Sequence, residues 1–310
     1  MQLLLVGSTD LTLSIAQHLQ RINYPPAACV YAPQEFRISY APSGVRNCRF
    51  GAISDWCTDT GCPSYEFSSN QEWKAWLKSQ SFDLAIVAGW YHMVPRSIRD
   101  CFPLGCIGLH ASLLPDLRGG APLNWALLSG RTETGISLFQ LSDGVDDGFL
   151  YGQHRFPIGP RSTIQELVDA AQQGALQLLS ESLPQLAEGR LQPYPQEGKP
   201  SYCQQRCPGD SLIDWHQPAT LTDRLIRAVS EPYGGAFSFL QGSRLTIWEA
   251  TPFDEIEVIG MPGQIALIPQ VSLPLVCTGS GVLQIKRVTD ENGQSALPLL
   301  MKANHKRLGA

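Results

Sequence analysis

The sequence predicts an α/β fold, a doubly wound sheet followed by a small second domain of β-strands. Three observations predict it. Through residues 1–190, short apolar runs ending in turn residues alternate with helical patterns, as in strand–helix units of an open sheet. One run, Phe82 to Ala88, is apolar except for Asp83 near its start, as expected of a strand buried on both faces. Beyond residue 208 the character changes to five short strand-like pieces separated by Gly and Pro, which suggests a small barrel.

Length and composition fit this outline. A chain of 310 residues suggests two domains, placed here at 1–190 and 209–310, with 191–208, rich in Pro and Gln, as the linker. The net charge of −5 argues against a generally nucleic-acid-binding surface. No apolar run approaches the ~20 residues of a transmembrane helix, so no membrane partner is expected. Met1 to Val6 lacks a basic n-region and a cleavage site and reads as a strand. Nine cysteines, an odd number without a disulfide framework, fit a reducing cytosol, and a cytoplasmic location is the expectation. Cys57 and Cys62, or Cys203 and Cys207, have loose metal-like spacing. Neither pair has a matching second pair or a nearby His set, so no metal is expected.

Taken in order, Gln2 to Val6 reads as a strand that turns at Gly7-Ser8-Thr9 into a helix carrying Leu13, Ala16 and Leu19. No GxGxxG occurs there, so dinucleotide binding is not supported. Ala27 to Ala32 fits a second strand. Pro33 to Pro63 has weak periodicity and reads as a long irregular segment, carrying Arg37, Arg46 and Arg49 among Tyr40, Asn47 and Trp56. Such a segment is either a binding loop whose arginines meet a phosphate or a solvated loop. Glu72 to Leu77 reads as a helix. The Phe82–Ala88 strand ends in Gly89-Trp90-Tyr91-His92-Met93. Phe149 to Phe156 is a strand, Ser162-Thr-Ile-Gln165 a capping-box pattern, and Ile164 to Leu186 a long amphipathic helix in which Gly174 should cost ~1 kcal/mol relative to Ala. In the second domain, Leu221 to Val229 is helical. Strands fit Ala236–Leu240, Arg244–Trp248, Gly263–Ile268, Leu273–Cys277 and Val282–Val288.

The centre of the first domain is Cys106 to Trp125. Cys106 to Leu109 reads as a buried strand that delivers His110 to its C-terminal end. Ser112 to Pro115 turn the chain, and Ala121 to Leu128 begin a helix. An open α/β sheet presents chemistry at that edge, although an ordinary connection with a hydrogen-bonded His has the same pattern. Thr134 to Leu141 reads as a further strand ending near Asp143 and Asp146. Asp146 follows His110 by 36 residues, enough for one helix and a return strand, so both side chains could emerge on one sheet edge. A carboxylate beside an imidazole orients it and fixes its tautomer, as a general base requires.

The motifs His110-x-Ser-Leu-Leu-Pro115, Arg118-Gly-x-x-Pro122, Thr134-Gly135 and Asp146-x-Gly148 resemble the core of the formyltransferases that use 10-formyltetrahydrofolate. Within that group the chain resembles methionyl-tRNA formyltransferase and, more nearly, the formyltransferase half of the enzyme that modifies 4-amino-4-deoxy-arabinose for lipid A. Ala121 to Trp125 and Asp210 to Trp215 suit the comparison. The resemblance implies a Rossmann-like catalytic domain, an OB-like C-terminal domain and 10-formyltetrahydrofolate as co-substrate. It implies that Trp90, Tyr91, His92 and Met93, with Ser112, Leu113, Leu114, Pro115 and Asp143, surround the pterin. His110 and Asp146 would then move the proton, and Arg118 and Asn124 would meet the acceptor. Read without the resemblance, Trp90 and Tyr91 are core residues and His92 a loop histidine.

One position departs from the family pattern. An Asn whose amide holds the formyl oxygen normally stands two residues before the His, and here that position is Gly108. Losing one such donor typically costs ~10²–10³ in rate. Another donor could serve, a backbone N–H, a water or Asn124, and the absent Cβ could admit a bulkier ligand or a water. The acceptor expected is a primary amine of a small molecule, with a sugar nucleotide first. Residues 204–310 hold nine Lys or Arg against ten Asp or Glu, which disfavours a tRNA acceptor, while the cluster at Lys302–Arg307 keeps methionyl-tRNA as the alternative. A folate-binding homologue with lost or altered chemistry, including release of formate, is the remaining reading. A homodimer stays open.

Overall fold

A computed structural model describes residues 1–38 and 41–309; Tyr40 lies outside the described residues. Two compact units are present. The first comprises Met1–Pro122, Glu133–Pro157 and Val168–Cys203; the second comprises Leu123–Thr132, Ile158–Leu167 and the chain from Gln204 on.

In the first unit β1 (Leu3–Val6), with every residue buried, leads through Thr9 into α1 (Asp10–Arg21), where the Thr9 backbone N–H donates to Thr12 Oγ1 at 3.1 Å. There follow β2 (Pro26–Tyr31), β3 (Glu35–Ile38), β4 (Ala41–Arg46), α2 (Ile53–Thr60), β5 (Ser64–Glu66), α3 (Asn70–Leu77), β6 (Leu84–Val87), α4 (Arg96–Arg99), β7 (Cys106–His110) and β8 (Arg118–Gly119). The chain continues through α5 (Pro122–Leu128), which from Leu123 on belongs to the second unit, then β9 (Glu133–Gln140), β10 (Leu150–Pro157), α6 (Ile164–Ala187), whose first turn also belongs to the second unit, and β11 (Tyr202–Cys203).

Seven strands form one sheet in the order β10-β9-β7-β6-β1-β2-β5. From β7 to β5 the neighbours are parallel, while β9 is antiparallel to β7 and to β10. The chain winds outward from β1 to β2 and β5, then crosses back to β6 and β7. The order therefore reverses between β1 and β6, the switch point at which open sheets of this kind carry ligands. The Rossmann-like, doubly wound class is the one the sequence predicts.

Two differences from the sequence reading have physical causes. Pro33 to Pro63 is not irregular: it holds the antiparallel β3–β4 hairpin and α2. The alternation of β3 lasts four residues only, Pro42 and Gly44 interrupt β4, and α2 buries only Ile53 and Cys57, so no period runs long enough to read from the sequence. Arg49 is in a bidentate pair with Asp10, at 2.7 and 3.1 Å, and Arg46 lies 3.8 Å from Glu35. The capping box before α6 forms one residue later than expected. Thr163 Oγ1 accepts from the Glu166 N–H at 3.4 Å, and Glu166 Oε2 accepts from the Thr163 N–H at 3.2 Å. Gly174, which lowers helix propensity, has a packing role: a Cβ there would stand 2.6 Å from His154 Cδ2 and 3.0 Å from Ile136 Cγ2, so only glycine lets α6 lie this close to β9 and β10.

In the second unit a 3₁₀ turn (Pro208–Ser211) and α7 (Ala219–Val229) precede β12 (Ala236–Leu240), β13 (Ser243–Phe253), β14 (Ile265–Ala266), β15 (Leu275–Cys277) and β16 (Val282–Thr289), with a last short helix, α8 (Leu297–Leu300). The five strands form an antiparallel, curled half-barrel in the order β12-β13-β16-β15-β14. β13 runs on to Phe253, past the expected end at Trp248. Register shifts between Ile247 and Ala250 bend it, and a bulge of that kind lets one strand follow a barrel wall. The chain end stitches the open side, with Gln264 bridging Arg307 and Leu240 bridging Leu308. Lys306, part of the basic cluster, donates to Gln241 Oε1 at 2.9 Å.

Candidate active site

β7 places Gly108 and His110 two residues apart, on the same face of the sheet. His110 is buried, and its two ring nitrogens meet different partners. Nε2 lies 2.8 Å from the Leu117 carbonyl oxygen. A carbonyl only accepts, so Nε2 carries the proton in this arrangement. Nδ1 lies 3.4 Å from Asp146 Oδ2, which also accepts from the Gly119 N–H at 2.8 Å. A proton arriving at Nδ1 therefore meets a carboxylate as its counter-charge. The imidazole and carboxylate that the sequence placed on one sheet edge are in contact.

The loops that hold this pair are constrained. Leu117 and Asp146 both have left-handed backbone, with φ of 53° and 51°, a conformation costing a side-chain-bearing residue ~1–2 kcal/mol. Leu117 is pinned by its N–H to Ser201 Oγ at 2.8 Å. Asp146 is pinned through Gln196, whose amide donates to the Asp146 and Gly148 carbonyls, both at 2.8 Å. The Gln196 carbonyl accepts from Arg118 at 2.7 and 3.1 Å, and Arg118 also donates to Tyr202 Oη at 3.0 Å. Gln196, Ser201 and Tyr202 all come from the stretch read as a linker. That stretch is tied into the first unit by the parallel pairing of β11 with β8 and a bridge between Tyr194 and Leu150. The sequence carries no periodicity there that could have announced it. Burial, with the Asp146 carboxylate nearby, pushes the Cys203 thiol up to about 11, so it stands beside the pair as a neutral thiol.

Ser112 to Pro115 are held from below. Ser137 Oγ on β9 donates to the Ser112 carbonyl at 2.7 Å and accepts from the Leu114 N–H at 3.1 Å. Gln153 on β10 donates to the Leu114 carbonyl at 2.9 Å. Ser112 Oγ donates to the Asp116 carbonyl at 2.5 Å, and Leu114 is buried. Neither Ser137 nor Gln153 was singled out from sequence, where both read as ordinary strand residues.

The Trp90–Met93 loop leaves β6 at the same C-terminal edge. Trp90 and His92 sit in an aromatic cluster with Phe36, Phe67 and Trp73: Phe67 is 4.7 Å from His92 and 5.1 Å from Trp90, centroid to centroid. Tyr91 donates to Asn47 Oδ1 at 3.1 Å, and Met93 is exposed. Trp90 Nε1 and His92 Nε2 are buried ring nitrogens without a partner among the described residues. Asp143, on the other hand, is exposed and paired with Arg99.

Burial holds His92 below the ordinary imidazole value, so the folded state favours its neutral form. Stability linked to His92 is then present above the unfolded value of ~6.5 and is lost as pH falls through it toward the lower folded value. His92→Gln is expected to flatten the dependence of melting temperature on pH below about 6.5; an unchanged profile in thermal scans would remove His92 as its source.

Gly108 does not face open space. A Cβ on it would stand 2.8 Å from Leu141 Cδ2 and 2.8 Å from Phe139 Cε1. The room that the sequence suggested for a ligand or water is taken by these two side chains, which reach it from β9 and the residue after it. Asn124, the side chain named as a substitute donor, belongs to the second unit, where its amide donates to the Ala228 carbonyl at 2.6 Å. Gln196→Ala leaves the Asp146 and Gly148 carbonyls without these donors. A loss of about 1 kcal/mol in thermal unfolding is expected, together with slower turnover through a misplaced Asp146.

Known structures resemble the chain along most of its length. HypX from Aquifex aeolicus, solved in complex with tetrahydrofolic acid, matches 95% of this chain at 17% identity with a TM-score of 0.67. The chain spans 45% of that protein's length. An N-formyltransferase from Helicobacter canadensis, in complex with folinic acid and dTDP-3-aminofucose, matches 95% of this chain and 99% of its own at 13% identity, TM-score 0.66. Methionyl-tRNA formyltransferase from Clostridium thermocellum matches 84% of this chain and 96% of its own at 20% identity, TM-score 0.57. At these identities the likeness is one of fold. No helix among the described residues is long and apolar enough to cross a membrane. The family models are more specific: that for formyl transferase matches residues 58–183, and that for the formyl transferase C-terminal domain matches residues 207–299. The first match takes in the β7 strand, His110, the turn after it and Asp146, the second nearly all of the half-barrel, and the chain belongs to the formyl transferase family.

Proposed function

We propose that this protein transfers a formyl group from 10-formyltetrahydrofolate to a primary amine of a small molecule, with an amino sugar carried on a nucleotide as the acceptor class. The observation that carries this reading is the His110–Asp146 contact at 3.4 Å, at the C-terminal edge of the parallel strands β6 and β7 in a formyl transferase chain. Two features favour a folate at this edge. Trp90 Nε1 and His92 Nε2 offer unpartnered hydrogen-bonding atoms on the loop expected to meet the pterin, and the Ser112–Pro115 turn is braced by Ser137 and Gln153.

When bound, the folate supplies the formyl carbon as electrophile. The protein's part is to take the proton that the attacking amine releases. Nε2 is committed to the Leu117 carbonyl, so Nδ1 accepts that proton and Asp146 balances the charge that results. Gly119 holds Asp146 in place by its N–H. Gly108 contributes no side-chain donor to the oxygen that gains negative charge, which leaves this to a backbone N–H or solvent. Turnover is therefore expected to be ~10²–10³ below that of a site with a side-chain donor there.

The near balance of charge over residues 204–310 supports a small acceptor over tRNA. The test is a panel of amines, including nucleotide-linked amino sugars and methionyl-tRNA, incubated with 10-formyltetrahydrofolate and read by release of tetrahydrofolate. Acceptor-dependent release with a nucleotide-linked sugar supports the proposal. Release with methionyl-tRNA alone favours the tRNA reading, and formate release without any acceptor makes the protein a hydrolase. Folate binding in calorimetry with no turnover would make it a binding protein.

A further inference from the structure

Away from the sheet edge just described, three cysteines from separate positions in the chain converge. Cys29 lies on β2, fully buried; Cys57 lies on the inner face of α2, also buried; Cys62 follows that helix and is half-buried. Their sulfur atoms all lie within 4.8 Å of one another. Local geometry explains the meeting. Gly61 ends α2 in the left-handed region at φ 70°, its N–H reaching the Thr58 carbonyl, while the Cys62 N–H reaches the Cys57 carbonyl at 2.9 Å. This pair of bonds defines the helix stop in which the residue after the glycine packs against the residue five positions earlier, usually through apolar side chains. Here both positions are cysteine. Pairing of β2 with β5 then sets Cys29 opposite Ser64, and the Cys29 N–H donates to the Pro63 carbonyl at 2.9 Å, which lays the third thiol beside the other two. Sequence spacing showed only the Cys57–Cys62 pair; the strand register supplies Cys29.

We propose that Cys29, Cys57 and Cys62 form a three-thiolate site for one zinc ion, with water as fourth ligand on the half-exposed side of Cys62. Three sulfurs each about 2.3 Å from one ion stand about 4 Å apart, so the observed set needs to contract by less than about 1 Å. Thiolate sulfur selects zinc and other soft ions over magnesium or calcium. On binding, each ligating thiol gives up its proton to solvent. The site would tie α2 to β2 and β5, and so would act on stability rather than on transfer.

The test uses the full chain, reduced and stripped of metal, titrated with Cd²⁺ as spectroscopic probe and with Zn²⁺ in competition. One equivalent of Cd²⁺ should bind with sulfur-to-metal charge-transfer absorption, a large excess of Zn²⁺ should compete for the same site and reduce that absorption, and saturation with Zn²⁺ should raise the melting temperature. Cys62→Ser, at the half-exposed position, should keep the fold by circular dichroism and weaken binding at least tenfold. Cys57→Ser should weaken it likewise, and Cys48→Ser and Cys101→Ser, at exposed thiols, should leave it unchanged. No saturable charge-transfer band in the reduced protein, or undiminished binding in folded Cys62→Ser, overturns the proposal.

Discussion

His110→Ala is expected to lower formyl transfer by about 10²–10⁴-fold, the usual contribution of a positioned general base. The variant removes both contacts of the ring, to the Leu117 carbonyl and to Asp146, yet leaves the Trp90–Met93 loop and the Ser137 brace intact. Folate affinity measured by calorimetry should therefore change much less than turnover. Asp146→Asn separates two roles of the carboxylate. Its amide oxygen can still accept from Gly119, but the counter-charge for a protonated ring is gone, so a loss smaller than that of His110→Ala is expected. Steady-state assays with the best acceptor decide the matter. Full rate in His110→Ala would take His110 out of the proton transfer.

Gly108→Asn has a second large effect, and its sign depends on packing. The new Cβ would meet Leu141 and Phe139 at 2.8 Å. Overpacking a filled site typically costs 1–3 kcal/mol, so the single variant should melt at a lower temperature and gain little activity. Leu141→Ala opens one side of the same space. In a double-mutant cycle the pair should be more stable than the sum of the single effects, by about 0.5 kcal/mol or more. If a side-chain donor is what the site lacks, turnover of the double variant should rise by up to ~10² over Gly108 with Leu141→Ala alone. A stable double variant with no gain in rate would show that the oxyanion already has its donor elsewhere.

Several features were legible because they depend on neighbours in the chain. The buried runs at Leu3–Val6 and Leu84–Val87 and the long helix Ile164–Ala187 announce themselves by composition and period. His110 at a strand end and Asp146 one helix and one strand later could be paired by counting residues. The same reasoning failed where the pattern is weak or the partner is remote. In the β3–β4 hairpin Glu35-Phe36-Arg37-Ile38 alternate over four residues only, and Pro42 and Gly44 interrupt the pattern of the returning strand. Gln196 reads as part of a polar spacer, yet it spans Arg118, Asp146 and Gly148 because β11 pairs with β8.

By itself, then, the sequence determined the main strands and helices of the sheet outside residues 33–63, the family, and that His110 and Asp146 reach one sheet edge. The tertiary structure alone decided what each nitrogen of His110 faces, the Leu117 carbonyl at Nε2 and the Asp146 carboxylate at Nδ1. It also decided that the space beside Gly108 is filled, and that Cys29 joins Cys57 and Cys62. The reason is the range of the forces involved. Hydrophobic period and turn chemistry are written within a few residues, whereas strand register sets contacts between residues tens of positions apart, and nothing local to either partner encodes them.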